Sequence, residues 1–148
     1  MLDGKIAGSV AGAVATVPMT AVMRAFDHQQ DLPPRVITEN AAGGAMAGLS
    51  EDTRDKLSMT AHFGFGAAAG AGFGAVAGQS GLPAVAEGAL YGVALWGASY
   101  LGVMPAAGLY KPATEDKGSR TLMMIGAHLI WGAALGLVWQ AISSKTRE

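Results

Sequence analysis

Two histidines set in long uncharged stretches are the residues of this chain best equipped for chemistry. His62 heads HFGFGAAAGAGFGAVAG, residues 62–78, and His128 lies in AHLIWGAALG, residues 127–136. An imidazole can carry a proton, ligate a metal or make a directional hydrogen bond. Inside an apolar helix it is costly, which makes it a functional candidate by default. The simplest reading gives each ring one interhelical hydrogen bond and keeps it neutral. A sharper one makes His62 and His128 a proton or ligand site, with Glu39 and Glu115 at the same membrane face.

Methionine adds a third possibility. Met19 and Met23 stand at i, i+4, and Met124 and His128 repeat that spacing. Thioether and imidazole together suit a soft ion such as Cu(I), although a helical methionine is more often a flexible gap-filler. Haem b is a fourth, with the two imidazoles as axial ligands and the glycines making room for the macrocycle. His28, in DHQQD, reads as a solvated residue.

Other chemistries lack their parts. There is no cysteine, so disulfides, thiolate zinc sites and iron–sulfur clusters are excluded. No nucleophile–base pair, phosphate loop or H-E-x-x-H spacing is present, so an enzyme is not expected. A net charge of −1 offers no basic surface for nucleic acid. Trp96, Tyr100, Tyr110, Trp131 and Trp139 read as packing and interface anchors.

The elements that must carry these residues follow from charge placement. Only 14% of the 148 residues are charged, and they cluster. Ile6–Met23, Leu57–Ala86, Gly88–Tyr110 and Thr121–Ser144 contain no charge at all. Each run reaches the roughly 18 residues that can span about 30 Å of hydrocarbon. A soluble helix would interrupt such runs with charges on its outer face. The expected fold is an all-α integral membrane bundle of four helices, about 5–26, 51–78, 84–108 and 119–144, forming one transmembrane domain. Lys5 ahead of small residues looks like a signal n-region, but Asp3 opposes it and the stretch is long enough to span. Pro18 and Pro105 should bend their helices. Loop one should hold a short interfacial helix in VITENAAGGAMAGL, opened by Pro34. Ser50 and Ser119 are the expected N-caps of the second and fourth helices.

Glycine sets the packing. Gly66, Gly70, Gly74 and Gly78 recur every fourth residue below His62, and Gly132 and Gly136 do so below His128. In lipid, small residues let helix backbones approach and gain dispersion contacts. AHFGFGAAAG (residues 61–70) and AHLIWGAALG share the pattern A-H-x-x-aromatic-G-A-A-x-G. Thr38-Glu39 and Thr114-Glu115 add a weaker echo, and Gly4/Gly8 can be set against Gly88/Gly92. The reading is a helix pair repeated in parallel, units about 1–80 and 81–148. The second and fourth helices would then meet through His62/Gly66/Gly70 and His128/Gly132/Gly136.

LPPRVITEN, AHFGFGAAAG, KPATED and AHLIWGAALG, in that order, resemble the YagU-like family of small bacterial inner-membrane proteins. The resemblance implies a polytopic inner-membrane bundle and no particular activity. Arg24, Arg35, Arg54, Lys56, Lys111, Lys117 and Arg120 lie in loops one and three, against Lys5, Lys145 and Arg147 at the other side. The positive-inside rule puts loops one and three in the cytoplasm. The partners expected are the lipid bilayer and either a second copy or another membrane protein. Two functions are open: a structural or accessory membrane protein acting through its glycine seams, and a small channel, carrier or ligand site at the histidine pair.

Overall fold

The computed structural model describes residues 3–26 and 32–145, with only the backbone of Ser144 and Lys145. His28 and Arg147 lie outside the described residues. The described chain is all-helical: α1 (Gly4–Phe26), α2 (Pro33–Ala41), α3 (Glu51–Val76), α4 (Ala84–Ala98), a π-helical turn (Ser99–Val103), α5 (Met104–Ala106), a 3-10 turn (Ala113–Glu115) and α6 (Gly118–Lys145). α4, the π turn and α5 form one continuous rod.

Among the described residues three helices are long and apolar enough to cross a membrane: Gly4–Phe26, Ala84–Ala106 and Gly118–Ser143. They coincide with three of the four expected spans. At 26 residues α3 is long enough, but it opens on Glu51-Asp52-Thr53-Arg54-Asp55-Lys56, and five glycines and His62 lower the hydropathy of the remainder.

α1 packs on α3 and α4 packs on α6, each antiparallel, and α1 also packs on α6. The contacts inside each pair are backbone on backbone. Gly4, Gly8 and Gly12 oppose Gly74, Gly70 and Gly66 in turn. Ala84, Gly88 and Gly92 oppose Gly136, Gly132 and the carbonyl of His128. A Cβ built on Gly8, Gly12, Gly70, Gly88 or Gly132 would fall onto a carbonyl oxygen of the facing helix. The glycine Hα therefore points at that oxygen, a close Cα–H···O approach that no other residue allows. The glycine rows of α3 and α6 thus face α1 and α4, not each other as their shared motif suggested. Each row needs a glycine-rich partner, and α1 and α4 hold the matching glycines. The motif counterparts Gly66 and Gly132 meet Gly12 and Gly88.

Gly78 leaves the seam altogether. α3 ends at Val76, and Gly78 turns the chain at φ 83°. Its N–H donates to Glu87 Oε2 at 2.8 Å, and the Ser80 hydroxyl donates to the other carboxylate oxygen at 2.8 Å. Glu87, in the first turn of α4, thereby closes the α3–α4 connection.

The two pairs meet through aromatic side chains. Phe73, fully buried, lies against Tyr91 at 5.4 Å and edge-on to Trp139 at 5.9 Å, and Tyr91 stacks on Trp131 at 6.3 Å. The Trp131 indole N–H is shared between Gly12 O and Thr16 Oγ1, both at 3.2 Å. The Tyr91 hydroxyl donates to Ala69 O at 2.8 Å. The outward faces stay apolar: Val10, Val14 and Val17 on α1, and Leu122, Leu129 and Leu137 on α6, are exposed. Such apolar outer faces are compatible with a lipid surrounding.

Where a bend was expected at Pro105, the helix carries a π turn over Ser99–Val103. The Met104 N–H reaches back five residues to Ser99 O. Proline clashes with the carbonyl four residues before it, here Leu101, and a widened turn relieves that clash. Ser50 caps α3, accepting from the Thr53 N–H at 3.3 Å. Ser119 does not cap α6, which already begins at Gly118.

Substitutions along one helix should separate seam from surface. Gly70→Ala is expected to destabilise by about 1–3 kcal/mol or more, since the contact it violates is backbone. Gly64→Ala, with open space around it, should be neutral or stabilising by up to about 1 kcal/mol. Thermal unfolding in detergent measures both, and equal effects would refute the seam.

Candidate functional site

The space between the helix pairs widens toward the end that carries loops one and three. Glycine stops there on α1, where Thr16, Met19 and Met23 follow Gly12. On α4 the π turn displaces Ser99 and Tyr100. The result is a cavity of about 260 Å³. α1 contributes Thr16, Met19 and Met23, and α3 contributes Ala61, His62, Phe65 and Gly66. The rod of α4 and α5 adds Leu95, Ser99, Tyr100 and Met104, and α6 adds Met124, His128 and Trp131. Pro34, Ile37, Thr38 and Ala41 of α2 close it.

α2 is therefore a cover on the bundle. It is shorter than the expected interfacial helix, since residues after Ala41 pass into turns with Gly43 and Gly44 at positive φ. Pro33 and Pro34 open it and are buried. Arg35 ties it down: its guanidinium bonds Glu51 at the head of α3, and its Nε donates to Glu39 at 3.1 Å. Arg54 lies 3.9 Å from Glu39 and 3.7 Å from Glu51. On the other side Asn40 donates to Leu109 O at 2.8 Å. The cover thus touches both halves of the chain.

Both described histidines line this one cavity. His128 is 5% exposed, and its Nδ1 lies 2.8 Å from Met124 O. A carbonyl oxygen only accepts, so Nδ1 carries the hydrogen and, in the neutral ring, Nε2 keeps a lone pair. The Tyr100 ring stands edge-on to the imidazole at 5.9 Å. His62 Nε2 is buried with no hydrogen-bond partner among the described residues.

Met19, Met23 and Met124 line the same cavity, as the i, i+4 pattern proposed, and Met104 joins them. Glu39 and Glu115 do not. Glu39 is engaged by Arg35 and Arg54 above the cover, and Glu115 is exposed on the 3-10 turn. No carboxylate lines the cavity, and no cluster of three His, Asp or Glu exists among the described residues. Haem does not fit: benzene fills a void of about 150 Å³, and the macrocycle is several times larger than benzene. Thr16, Ser99 and Met104 escaped the sequence reading. The available signal was Pro105, whose clash with the Leu101 carbonyl calls for a widened turn in the residues before it, Ser99 and Tyr100 among them.

A family model matches residues 2–148. The chain belongs to DUF6789, a family of unknown function. No curated protein and no solved structure matches it. The DUF6789 match carries no link to the YagU-like proteins or to bacteria.

The cover should respond to acid. The hydrogen bond from Arg35 holds the Glu51 carboxyl below its ordinary 4.5, against a smaller upward push from burial. A depressed acid contributes stability that is complete above the unfolded value and lost as pH falls through the folded one. Hydrogen-exchange protection of residues 35–41, corrected for intrinsic rate, should therefore hold down to about pH 4.5 and fall below it. Glu51 is 67% exposed, so salt should weaken the effect. Protection insensitive to both would show that apolar contact alone holds α2.

Proposed function

We propose that this chain is a small multi-pass membrane protein that binds a ligand in the cavity beneath α2, and that it is not an enzyme. The observation that carries this reading is the convergence of both described histidines on one cavity. One of them has a buried ring nitrogen with no partner and the other a ring nitrogen oriented by Met124. The accessory reading was motivated by the glycine rows, and those rows are already occupied inside the chain by α1 and α4.

The finer architecture supports the proposal. α3 runs along α1 from Gly66 to Gly74, so a bilayer that α1 crosses is crossed by α3 as well, giving a four-helix bundle. The two antiparallel pairs, each joined through glycine in the same register, are consistent with a duplicated unit. Loops one and three share the end where Asn40 meets Leu109, and their basic residues favour the cytoplasmic side. The YagU-like motifs favour a bacterial inner membrane. Among the cavity-lining residues Ala41, Ala61 and Phe65 are exposed. They mark a mouth between α2 and α3, at the level where chain and headgroups meet.

The absence of cysteine makes a direct test available. Ser99→Cys and Ser58→Cys each place one thiol at a buried position, but only Ser99 lines the cavity. In membranes, methyl methanethiosulfonate should modify the Ser99→Cys chain at least tenfold faster than the Ser58→Cys chain. Adding Ala61→Trp at the mouth should slow the Ser99→Cys reaction. Equal, slow labelling of both would sink the binding-site reading.

A further inference from the structure

We propose that the cavity is a site for a soft monovalent metal ion, Cu(I) in the first place, with His128 Nε2, His62 Nε2 and the thioethers of Met19, Met23 and Met124 as the donor set. This rests on the reading of the cavity as a binding site and names what it takes.

Four observations point the same way. Four of the eight methionines, Met19, Met23, Met104 and Met124, line this one space, together with both described histidines. Three of those methionines are almost wholly buried, at 5%, 2% and 4% exposure for Met19, Met23 and Met124. The Nδ1 of His128 is committed to Met124 O, the arrangement that fixes a ligating imidazole and leaves Nε2 free to donate its lone pair. His62 Nε2 is buried without a partner, and an orphaned buried polar atom is costly unless something in the cavity meets it.

The donor chemistry selects the ion. Thioether sulfur and imidazole nitrogen are neutral, soft to intermediate ligands, which suit Cu(I) and its analogue Ag(I). No carboxylate or thiolate lines the cavity. A divalent ion would keep its full charge in a low-dielectric interior with nothing to neutralise it, and hard cations would lack the oxygen ligands they require. A monovalent ion bears less of that cost and recovers more of it through soft ligands. The cavity is wider than a bare ion. Methionine has three rotatable bonds beyond its Cα and adapts to irregular space, so the thioethers can close on the ion.

The test uses the full chain in lipid nanodiscs. Cu(I), kept reduced with ascorbate under anaerobic conditions, is competed against bicinchoninate, with Ag(I) and Zn²⁺ in parallel. One Cu(I) or Ag(I) per chain and no Zn²⁺ is the expected result. Replacing Met19, Met23 and Met124 together by leucine keeps volume and apolar character, and should weaken Cu(I) retention at least tenfold without changing the unfolding temperature by more than a few degrees. A control with Met59→Leu and Met123→Leu, which lie outside the cavity, should bind as the wild type does. His128→Asn should weaken binding independently. If the triple leucine chain folds and retains Cu(I) unchanged, the assignment is overturned. If wild-type protein retains no Cu(I) while Ser99→Cys is labelled rapidly, the metal assignment fails and the cavity stands. If wild-type protein retains no Cu(I) and Ser99→Cys is not labelled rapidly, both fail.

Discussion

The structure depends on two helix pairs brought into backbone contact. Between α1 and α3, and again between α4 and α6, glycine removes the side-chain layer that ordinarily keeps helix axes about 8–10 Å apart. In lipid, where apolar side chains gain little by meeting one another, that close approach supplies dispersion and Cα–H···O contacts that a layer of leucines would not. The geometry leaves no slack, because the facing atoms are main chain and cannot rotate away.

Such a tight seam has a consequence at its ends. α1 and α3 are pinned from Gly4/Gly74 to Gly12/Gly66, and α4 and α6 from Ala84/Gly136 to Gly92/His128. Aromatic residues hold the two pairs together over the same length, with Trp131 bonded into α1 and Tyr91 into α3. Past Gly12 and Gly92 the small residues give way to Thr16, Met19, Ser99 and Tyr100. The π turn before Pro105 widens the rod at that level. The cavity forms where close packing stops, and both histidines stand at that boundary.

α2 completes the enclosure and differs in kind from the other helices. It is short, polar outward, and held by Arg35, Glu39, Glu51 and Arg54 at one edge and by Asn40 at the other. Beneath it Pro33, Pro34, Val36 and Ile37 make apolar contact with the bundle, while its ion pairs are partly exposed, hence individually weak and salt-sensitive. The glycine seams are rigid by comparison.

Much was legible in the sequence because membrane solvation is read locally. Uncharged runs marked α1, the α4–α5 rod and α6 to within about four residues, whereas the run at 57–86 missed the charged opening of α3 and ran past its end at Val76. Ser50 was legible as a cap because its partner lies three residues away. The histidines and the Met19/Met23 and Met124/His128 pairs were visible as i, i+4 neighbours. The partnering of the helices was not. The same spacing of glycine marks any close seam, and the shared motif of α3 and α6 suggested that they face each other. Only the tertiary structure decided that each faces a neighbour in sequence, because antiparallel packing aligns Gly66 with Gly12 and Gly132 with Gly88. It also decided that Gly78 serves a turn, that Glu39 answers to arginines and not to the histidines, and that residues from four helices and a cover enclose one space. Those outcomes depend on which backbones touch, a relation between distant segments that no local pattern encodes.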